Sequence, residues 1–200
     1  MRAKYIDKNT VAKLRSVIGA DDWLPLRISL ETGLRIGDCV DLLFGQVSSH
    51  KGTPFIRATA QKTHKSGDFP ISESLYKLIK GRQKRLSATK TDFIFASYGA
   101  SGHLTRQAAW KRIKRACELL GIDSDGISPH SLRKCFAVAL MREHGLDAVR
   151  RALQHSNDAV TRVYAYADSI MNFDSDAPIL WRDVELIVDY ILERLHERAK

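Results

Sequence analysis

Four short segments of this 200-residue chain carry side chains suited to binding an anionic group and transferring protons. They are Thr32-Gly33-Leu34-Arg35, Gln61-Lys62-Thr63-His64-Lys65, His130-Ser131-Leu132-Arg133 and Leu153-Gln154-His155-Ser156, and Tyr164 follows His155 after nine residues. Guanidinium forks bind phosphate oxygens bidentately, and imidazole exchanges protons near neutral pH. A tyrosine hydroxyl is a poor nucleophile by itself and needs a cationic pocket to react. Residues of these types are therefore candidates for binding an anion and for transferring protons.

The distribution of charge favours a polyanionic partner. The formal net charge is +9, and the range from Lys51 to Arg115 holds 15 basic and 3 acidic residues. The range from Asp168 to Lys200 reverses this balance, with 8 acidic and 4 basic residues. We infer that the basic middle of the chain faces a polyanion and that the acidic tail faces a different partner or surface. A merely solvated basic surface is the alternative that charge alone leaves open.

Composition indicates one globular domain. No apolar run approaches the roughly 20 residues that span a bilayer, and the N-terminal residues lack the apolar stretch of a secretory signal. The three cysteines, Cys39, Cys117 and Cys135, are odd in number and never spaced as CxxC. We expect a cytoplasmic protein with reduced, buried thiols and no membrane partner.

Apolar periodicity and turn residues predict an α+β fold, mainly α-helical with a small antiparallel β-sheet. Strands are expected at Gln46-Val47, Pro54 to Ala60 and Asp68 to Ile71. Helices are expected at Val11 to Ile18 behind an Asn9-Thr10 cap, Trp23 to Leu30, Ile36 to Phe44, from Ser72 to Leu86, Thr105 to Leu120, Ser128 to Glu143, Leu146 to Leu153, Ala159 to Ala167 and Ile179 to Ala199. We assign Trp23, Trp110 and Trp181 to the core.

The ordered segments resemble the tyrosine recombinase, or phage-type integrase, family over roughly Thr10 to Asp168. The family's motifs read TGLRxxE, a hairpin lysine, HxLR, LGH and a tyrosine about nine residues later. Here Gln154 stands where the family usually has glycine, which affects the local turn and leaves His155 in place. The resemblance implies the tyrosine recombinase catalytic-domain fold over residues 1–175. It also implies a helical tail, 176–200, that docks on a neighbouring protomer or on its own domain.

The function implied by the resemblance is cutting and rejoining of DNA strands through a 3′-phosphotyrosyl intermediate, as in a site-specific recombinase or integrase of a mobile genetic element. No metal, cofactor or ATP is implied. The expected partner is double-stranded DNA, bound by a homotetramer, and the oligomeric state off DNA stays open. Two alternatives are a type IB topoisomerase-like enzyme that relaxes DNA and a non-enzymatic DNA-binding module on the same fold.

The family's catalytic roles carry over to six residues. Two arginines would stabilise charge on the phosphate, a lysine would protonate the leaving 5′ oxygen, two histidines would assist proton transfer, and a tyrosine would attack. In that order they are Arg35 and Arg133, Lys62, His130 and His155, and Tyr164. Lys65 and Tyr166 are the competitors for Lys62 and Tyr164.

Further basic residues are candidates for contacts to DNA phosphates: Lys65, Arg106, Lys111, Arg112, Lys114 and Arg115. A solvated charged face is the alternative for each of them. For Arg35 alone, the alternative is a surface arginine paired with Asp38. Only about 30 residues precede Arg35, so we expect no N-terminal DNA-binding domain of the family's kind and weak, salt-dependent DNA binding.

Overall fold

The computed structural model describes residues 3–61, 64, 66–98 and 102–153. Within these residues the chain forms, in order, α1 (Lys8–Val17), α2 (Ala20–Thr32), α3 (Ile36–Val40), a 3-10 turn (Phe44–Gln46), β1 (Val47–His50), β2 (Thr53–Thr59), β3 (Ser66–Pro70), α4 (Glu73–Arg85), α5 (Arg106–Leu120) and α6 (Pro129–Leu153). The mainly helical α+β fold is confirmed. The helices expected at 159–167 and 179–199, and with them the 176–200 tail, lie outside the described residues.

The three strands form one antiparallel sheet in the order β1-β2-β3. Val47 lies opposite Ile56, and Thr59 lies opposite Ser66 at the far end of the hairpin. Ile56 is fully buried against α4, because the sheet covers its apolar face with that helix. The small sheet predicted from short β-leaning stretches is therefore confirmed, and its β2–β3 connection spans residues 60–65.

Helix α2 lies at the centre of the fold. Leu24 and Ile28 pack into a cluster with the sheet and α4, whereas Trp23 and Leu26 pack into a second cluster with α1, α5 and α6. Helix α2 therefore buries apolar side chains in two clusters at once. Each large apolar side chain buried in this way stabilises the fold by about 1.5–3 kcal/mol. The segment that follows α2 is consequently held in a fixed place.

Helix α5 begins and ends where its local sequence predicts. The side chain of Thr105 accepts a hydrogen bond from the backbone N–H of Ala108 at 3.2 Å, and Gly121 ends the helix at φ 63°. Ala109 and Ile113 are buried on its inner face. In α6 the backbone leaves the helical conformation at Gly145, with φ 74° and ψ −177°, which confirms the break predicted at this glycine.

Three local predictions are wrong. The cap of α1 is Asp7, whose carboxylate accepts the backbone N–H of Thr10 at 2.7 Å, one turn before the predicted helix start. Helix α3 ends at Val40 and does not reach Phe44, because Leu43 forms a β-bridge with Phe93.

Trp110 is the third correction, since it is not a core residue. Its side chain is 41% exposed on the outer face of α5, with Lys114 Nζ 4.8 Å from the ring centroid. Trp23 is buried as expected, and so are the three cysteines, which are free thiols. No helix in the described part of the chain is both long and apolar enough for a membrane span.

Candidate active site

The turn from α2 into α3 is built to present Arg35. Gly33 ends α2 in the left-handed conformation at φ 67°, which a side chain would strain. The buried Ser29 hydroxyl donates to Leu34 O at 2.7 Å, and Thr32 Oγ1 accepts from Leu34 N at 3.2 Å. Arg35 then stands in an extended conformation as the N-cap residue of α3. These hydrogen bonds fix the backbone from which the Arg35 side chain extends.

Arg133 enters the same place from a segment one hundred residues later. It lies in the second turn of α6, is 5% exposed, and its Nη1 donates a hydrogen bond to Gly33 O. Burial, and then the positive charge of Arg35, lower the pKa of Arg133 to about 10, while the Asp38 carboxylate acts in the opposite direction. Arg133 therefore keeps its charge at neutral pH, and two guanidinium groups repel each other at one site.

His130 completes the described cluster. It lies one helical turn before Arg133, and part of the residue is open to solvent. Desolvation lowers the pKa of His130 to about 4, and repulsion by Arg133, Lys134 and Arg35 acts in the same direction. The imidazole is therefore neutral at pH 7. A neutral imidazole has an unprotonated ring nitrogen that can accept a proton.

We predict that His130 makes the protein less stable as the pH falls. Its pKa in the folded state, about 4, lies below its ordinary value of 6.5, so the unfolded chain binds more protons between these two values. Stability should therefore be lost progressively from about pH 6.5 to about pH 4. Chemical denaturation across this range should show a smaller loss in His130→Asn than in the wild type. The matched control is His50→Asn, which alters an exposed histidine of β1; equal slopes in all three proteins would contradict the prediction.

Asp38 does not form the surface pair with Arg35 that was the alternative for that arginine. Asp38 is 7% exposed, and its Oδ1 accepts the backbone N–H of Gln61 at 3.1 Å. The negative charge of Asp38 raises the pKa of Arg133, so this carboxylate lies near the buried guanidinium. No ion pair joins Arg35 to Asp38 within the described residues. Arg35 is therefore part of a cationic cluster.

The other predicted catalytic residues, Lys62, His155 and Tyr164, lie outside the described residues, as do their competitors Lys65 and Tyr166. Their roles stay predictions. The structure brings together Arg35, His130 and Arg133, which the sequence places in two separate segments. Within the described residues, no three His, Cys, Asp or Glu side chains converge as a metal site requires.

The basic residues of α5 occupy different environments. Arg112 Nε lies 2.6 Å from Asp22 Oδ1, and Arg115 Nη1 lies 3.2 Å from Glu118 Oε2. Lys114 stands over the Trp110 ring, as described above. Arg106 and Lys111 are exposed. The segment that precedes α5 lies beside the end of α3, since His103 Nε2 is 3.3 Å from Asp41 Oδ1. The five candidates for contacts to DNA phosphates therefore differ in whether their charge is already paired within the protein.

The sequence did not reveal a polar link between α2 and the start of α4. Arg27 Nε donates to Glu31 Oε1 at 2.7 Å, and Glu31 Oε2 accepts the backbone N–H of Ser72 at 3.0 Å. This link holds the base of the β2–β3 hairpin against the helix that precedes Arg35. The i,i+4 spacing of Arg27 and Glu31 was a visible signal of their pairing. Nothing local indicated their distant partner Ser72.

Sequence comparison places this arrangement among known proteins. The model of the phage integrase family matches residues 4–169. The tyrosine recombinase XerD of Yersinia pestis is 34% identical over 148 residues, which cover 70% of this chain and 48% of the relative. XerD of Vibrio vulnificus (strain YJ016) is 34% identical over 167 residues, covering 80% and 51%. The chain thus spans about half the length of these curated relatives.

Solved structures give the same fold. The site-specific recombinase XerH, bound to its difH substrate, superposes with a TM-score of 0.70 at 19% identity, covering 86% of this chain and 52% of that one. A lambda integrase dimer bound to a core site superposes with a TM-score of 0.67 at 17% identity, covering 90% and 64%. At such low identity the likeness shows the fold alone. With a family match over most of the sequence and the fold in agreement, this chain belongs to the phage integrase family of tyrosine recombinases.

Proposed function

We propose that this chain is the catalytic part of a DNA recombinase that cuts and rejoins strands through a 3′-phosphotyrosyl intermediate. The observation that carries the proposal is the convergence of Arg35, His130 and Arg133. Two guanidinium groups and a neutral imidazole lie near enough to shift pKa values within the group, although Arg35 comes from a distant part of the chain. Such a group is costly to assemble without an anion between its members, and a phosphodiester is an anion of suitable shape.

The cationic pair would act on the phosphorane as it forms. Charge on the non-bridging oxygens increases when the nucleophile attacks, and preorganised donors stabilise that charge without moving. Arg133 is preorganised because it is buried and bonded to Gly33 O. Arg35 is held by the turn that follows α2. One such donor contributes about 10²–10³-fold to a rate.

The remaining steps fall to residues predicted from the sequence. The Tyr164 oxygen would form a bond to phosphorus while the bond from phosphorus to the 5′ oxygen breaks. The phenolic proton would pass to His130 or His155, and Lys62 would give its proton to the departing 5′ oxygen. The phosphodiester is exchanged for a phosphotyrosyl diester, so rejoining is the reverse reaction and needs no ATP.

The relatives support DNA as the substrate. XerH is described in complex with its difH substrate after cleavage, and lambda integrase as a tetramer on a Holliday junction. A homotetramer on DNA is accordingly the assembly we propose for this chain. The net charge of +9 and the basic range from 51 to 115 agree with a polyanionic partner.

Covalent trapping tests the proposal. The 200-residue chain is incubated with a pool of labelled, nicked duplexes whose central sequence is randomised, and adducts are separated on a denaturing gel. An adduct that survives denaturation, with an enriched DNA sequence, is the expected result. Exchange between two duplexes carrying that sequence then distinguishes a recombinase from an enzyme that only relaxes DNA. If the chain binds DNA and yields no adduct from the pool, the non-enzymatic reading replaces the proposal.

We predict that the exposed cations of α5 contribute more to DNA affinity than the paired one. Each phosphate neutralised by a cation adds about 0.9 to the slope of log affinity against log salt. The double variant Arg106→Gln/Lys111→Gln should therefore lower that slope by about 2. Fluorescence polarisation with a labelled duplex between low and moderate salt gives the slope. The control is Arg112→Gln, because the Arg112 charge is already balanced by Asp22; a larger change in the control than in the double variant would refute the prediction.

A further inference from the structure

The turn that contains Lys62 is tied to the arginine site by described residues on either side of it. β2 ends at Thr59, and the backbone N–H of His64 donates to Ala60 O at 2.8 Å. His64 has a φ of 52°, which a tight reversal requires. Ala60 and His64 are therefore held close together, and Gln61 is the residue directly before Lys62 in the sequence.

Gln61 is held twice, by Asp38 of α3 and by Asp41, the residue that caps the C-terminus of α3. Its backbone N–H donates to Asp38 Oδ1 at 3.1 Å, and its side-chain Nε2 donates to Asp41 Oδ2. The two carboxylates are three residues apart, the first on α3, which begins directly after Arg35, and the second directly after its last residue. The same short segment thus begins directly after the arginine and binds the residue that precedes Lys62 in the sequence.

Asp41 is itself held from its other oxygen. Its Oδ1 lies 3.3 Å from His103 Nε2, and His103 Nδ1 lies 2.8 Å from Leu104 O. The imidazole also stacks on Phe93, with ring centroids 4.7 Å apart, and is 18% exposed. A carboxylate fixed on both sides keeps one orientation. Asp41 therefore joins the end of α3, Gln61 and the segment that leads into α5.

We propose that Asp41 and Gln61 are positioning residues that aim Lys62 at the leaving 5′ oxygen. This inference rests on the proposed function. In the step concerned, the Tyr164 oxygen bonds to phosphorus, the bond between phosphorus and the 5′ oxygen breaks, and the 5′ oxygen takes the Lys62 proton. Positioning matters here because a small displacement of a reacting group slows a reaction by up to about 100-fold. Neither Asp41 nor Gln61 touches the substrate.

The test uses a substrate that does not need the lysine. In a 5′-bridging phosphorothiolate, sulfur replaces the leaving oxygen; a thiol has a pKa of about 8.5, so the thiolate departs without taking a proton. Oxygen and sulfur versions of the duplex enriched in the trapping experiment are compared in single-turnover cleavage. The variants are Gln61→Ala, Asp41→Ala, the double variant and Lys62→Ala. The control is Gln83→Ala, which removes a glutamine that donates to Ala88 O at 3.3 Å on the distant end of α4.

We expect Gln61→Ala and Asp41→Ala to cleave the oxygen substrate about tenfold more slowly than the wild type and the sulfur substrate within about twofold of it. The double variant should be no slower than the slower single variant, because the two residues act through one contact. Equal slowing on both substrates would mean a role in folding or DNA binding and would overturn the inference. So would unchanged cleavage of the oxygen substrate, or a Lys62→Ala defect that sulfur does not relieve. Because Gln61 is exposed, its variant tests the idea even if Asp41→Ala fails to fold.

Failure of the proposed function can be distinguished from failure of the inference about Asp41 and Gln61. If the wild type forms no adduct with either substrate, the proposed function is wrong, and the inference is wrong with it. If the wild type cleaves both substrates, and Gln61→Ala and Asp41→Ala cleave both at the wild-type rate, only the inference is wrong.

Discussion

Replacing Tyr164 with phenylalanine should abolish the covalent adduct between protein and DNA. The substitution removes only the hydroxyl oxygen that would bond to phosphorus, and a phenyl ring cannot replace that oxygen. A phenol with a pKa near ~10 reacts only in a strongly cationic environment, which Arg35 and Arg133 would supply. Adduct formation in the trapping assay should fall below detection, at least about a thousandfold. DNA binding measured without denaturation should stay within about twofold, since no charge is lost.

Two matched variants make this result specific. Tyr166→Phe alters the neighbouring tyrosine in the same stretch, and Tyr98→Phe alters one that is fully exposed in the structure. Both should form the adduct at close to the wild-type rate. Loss of the adduct in Tyr166→Phe with its retention in Tyr164→Phe would move the nucleophile to Tyr166. That result would also show that the nine-residue interval from His155 is not the decisive spacing here.

Features encoded by neighbouring residues could be predicted from the sequence. The cap at Thr105, the end of α5 at Gly121 and the break at Gly145 all depend on side chains or glycines within a few positions. The spacing of His130 and Arg133 likewise places both on one face of α6. These signals are local, so no knowledge of the rest of the fold was needed to read them.

Features that depend on distant contacts were missed or misplaced. Helix α3 stops early because Leu43 pairs with Phe93, which lies fifty residues away. Trp110 is exposed because α5 already buries a complete stripe of smaller side chains on its inner face. Composition favours burial of tryptophan, and only the packing of α5 against its neighbours decides otherwise.

The site itself shows the same division. The sequence allowed Arg35, His130 and Arg133 to be recognised by their type and order. It did not show what holds them in place. What holds them is a hydrogen bond from Arg133 to Gly33 O and a buried Asp38 that reaches the hairpin turn. The sequence showed Asp38 as the acidic residue three positions after Arg35. An ion pair between the two at the surface was the simplest interpretation. The structure assigns its contact to Gln61 instead.

The second large effect is expected from Arg133→Ala, which should slow adduct formation by about 10²–10³-fold. Burial, and then repulsion between the Arg35 and Arg133 guanidinium groups, lower the pKa of Arg133 to about 10. A phosphate placed between them relieves that repulsion, and relief is greatest where negative charge is greatest, in the transition state. Arg133→Lys should recover only a small part of the rate, because an ammonium lacks the planar fork that binds two oxygens.

Inorganic phosphate separates this role of Arg133 from a purely structural one. Binding of the anion to the folded protein alone raises the melting temperature, so added phosphate should stabilise the wild type more than either variant. The chloride salt at equal ionic strength serves as the control for screening. Arg112→Ala, which removes an arginine paired with Asp22 outside the site, should retain the full phosphate effect. If Arg133→Ala slowed the reaction yet responded to phosphate as the wild type does, the buried guanidinium would be supporting the Gly33 turn, and the charge at the reacting phosphate would have to come from elsewhere.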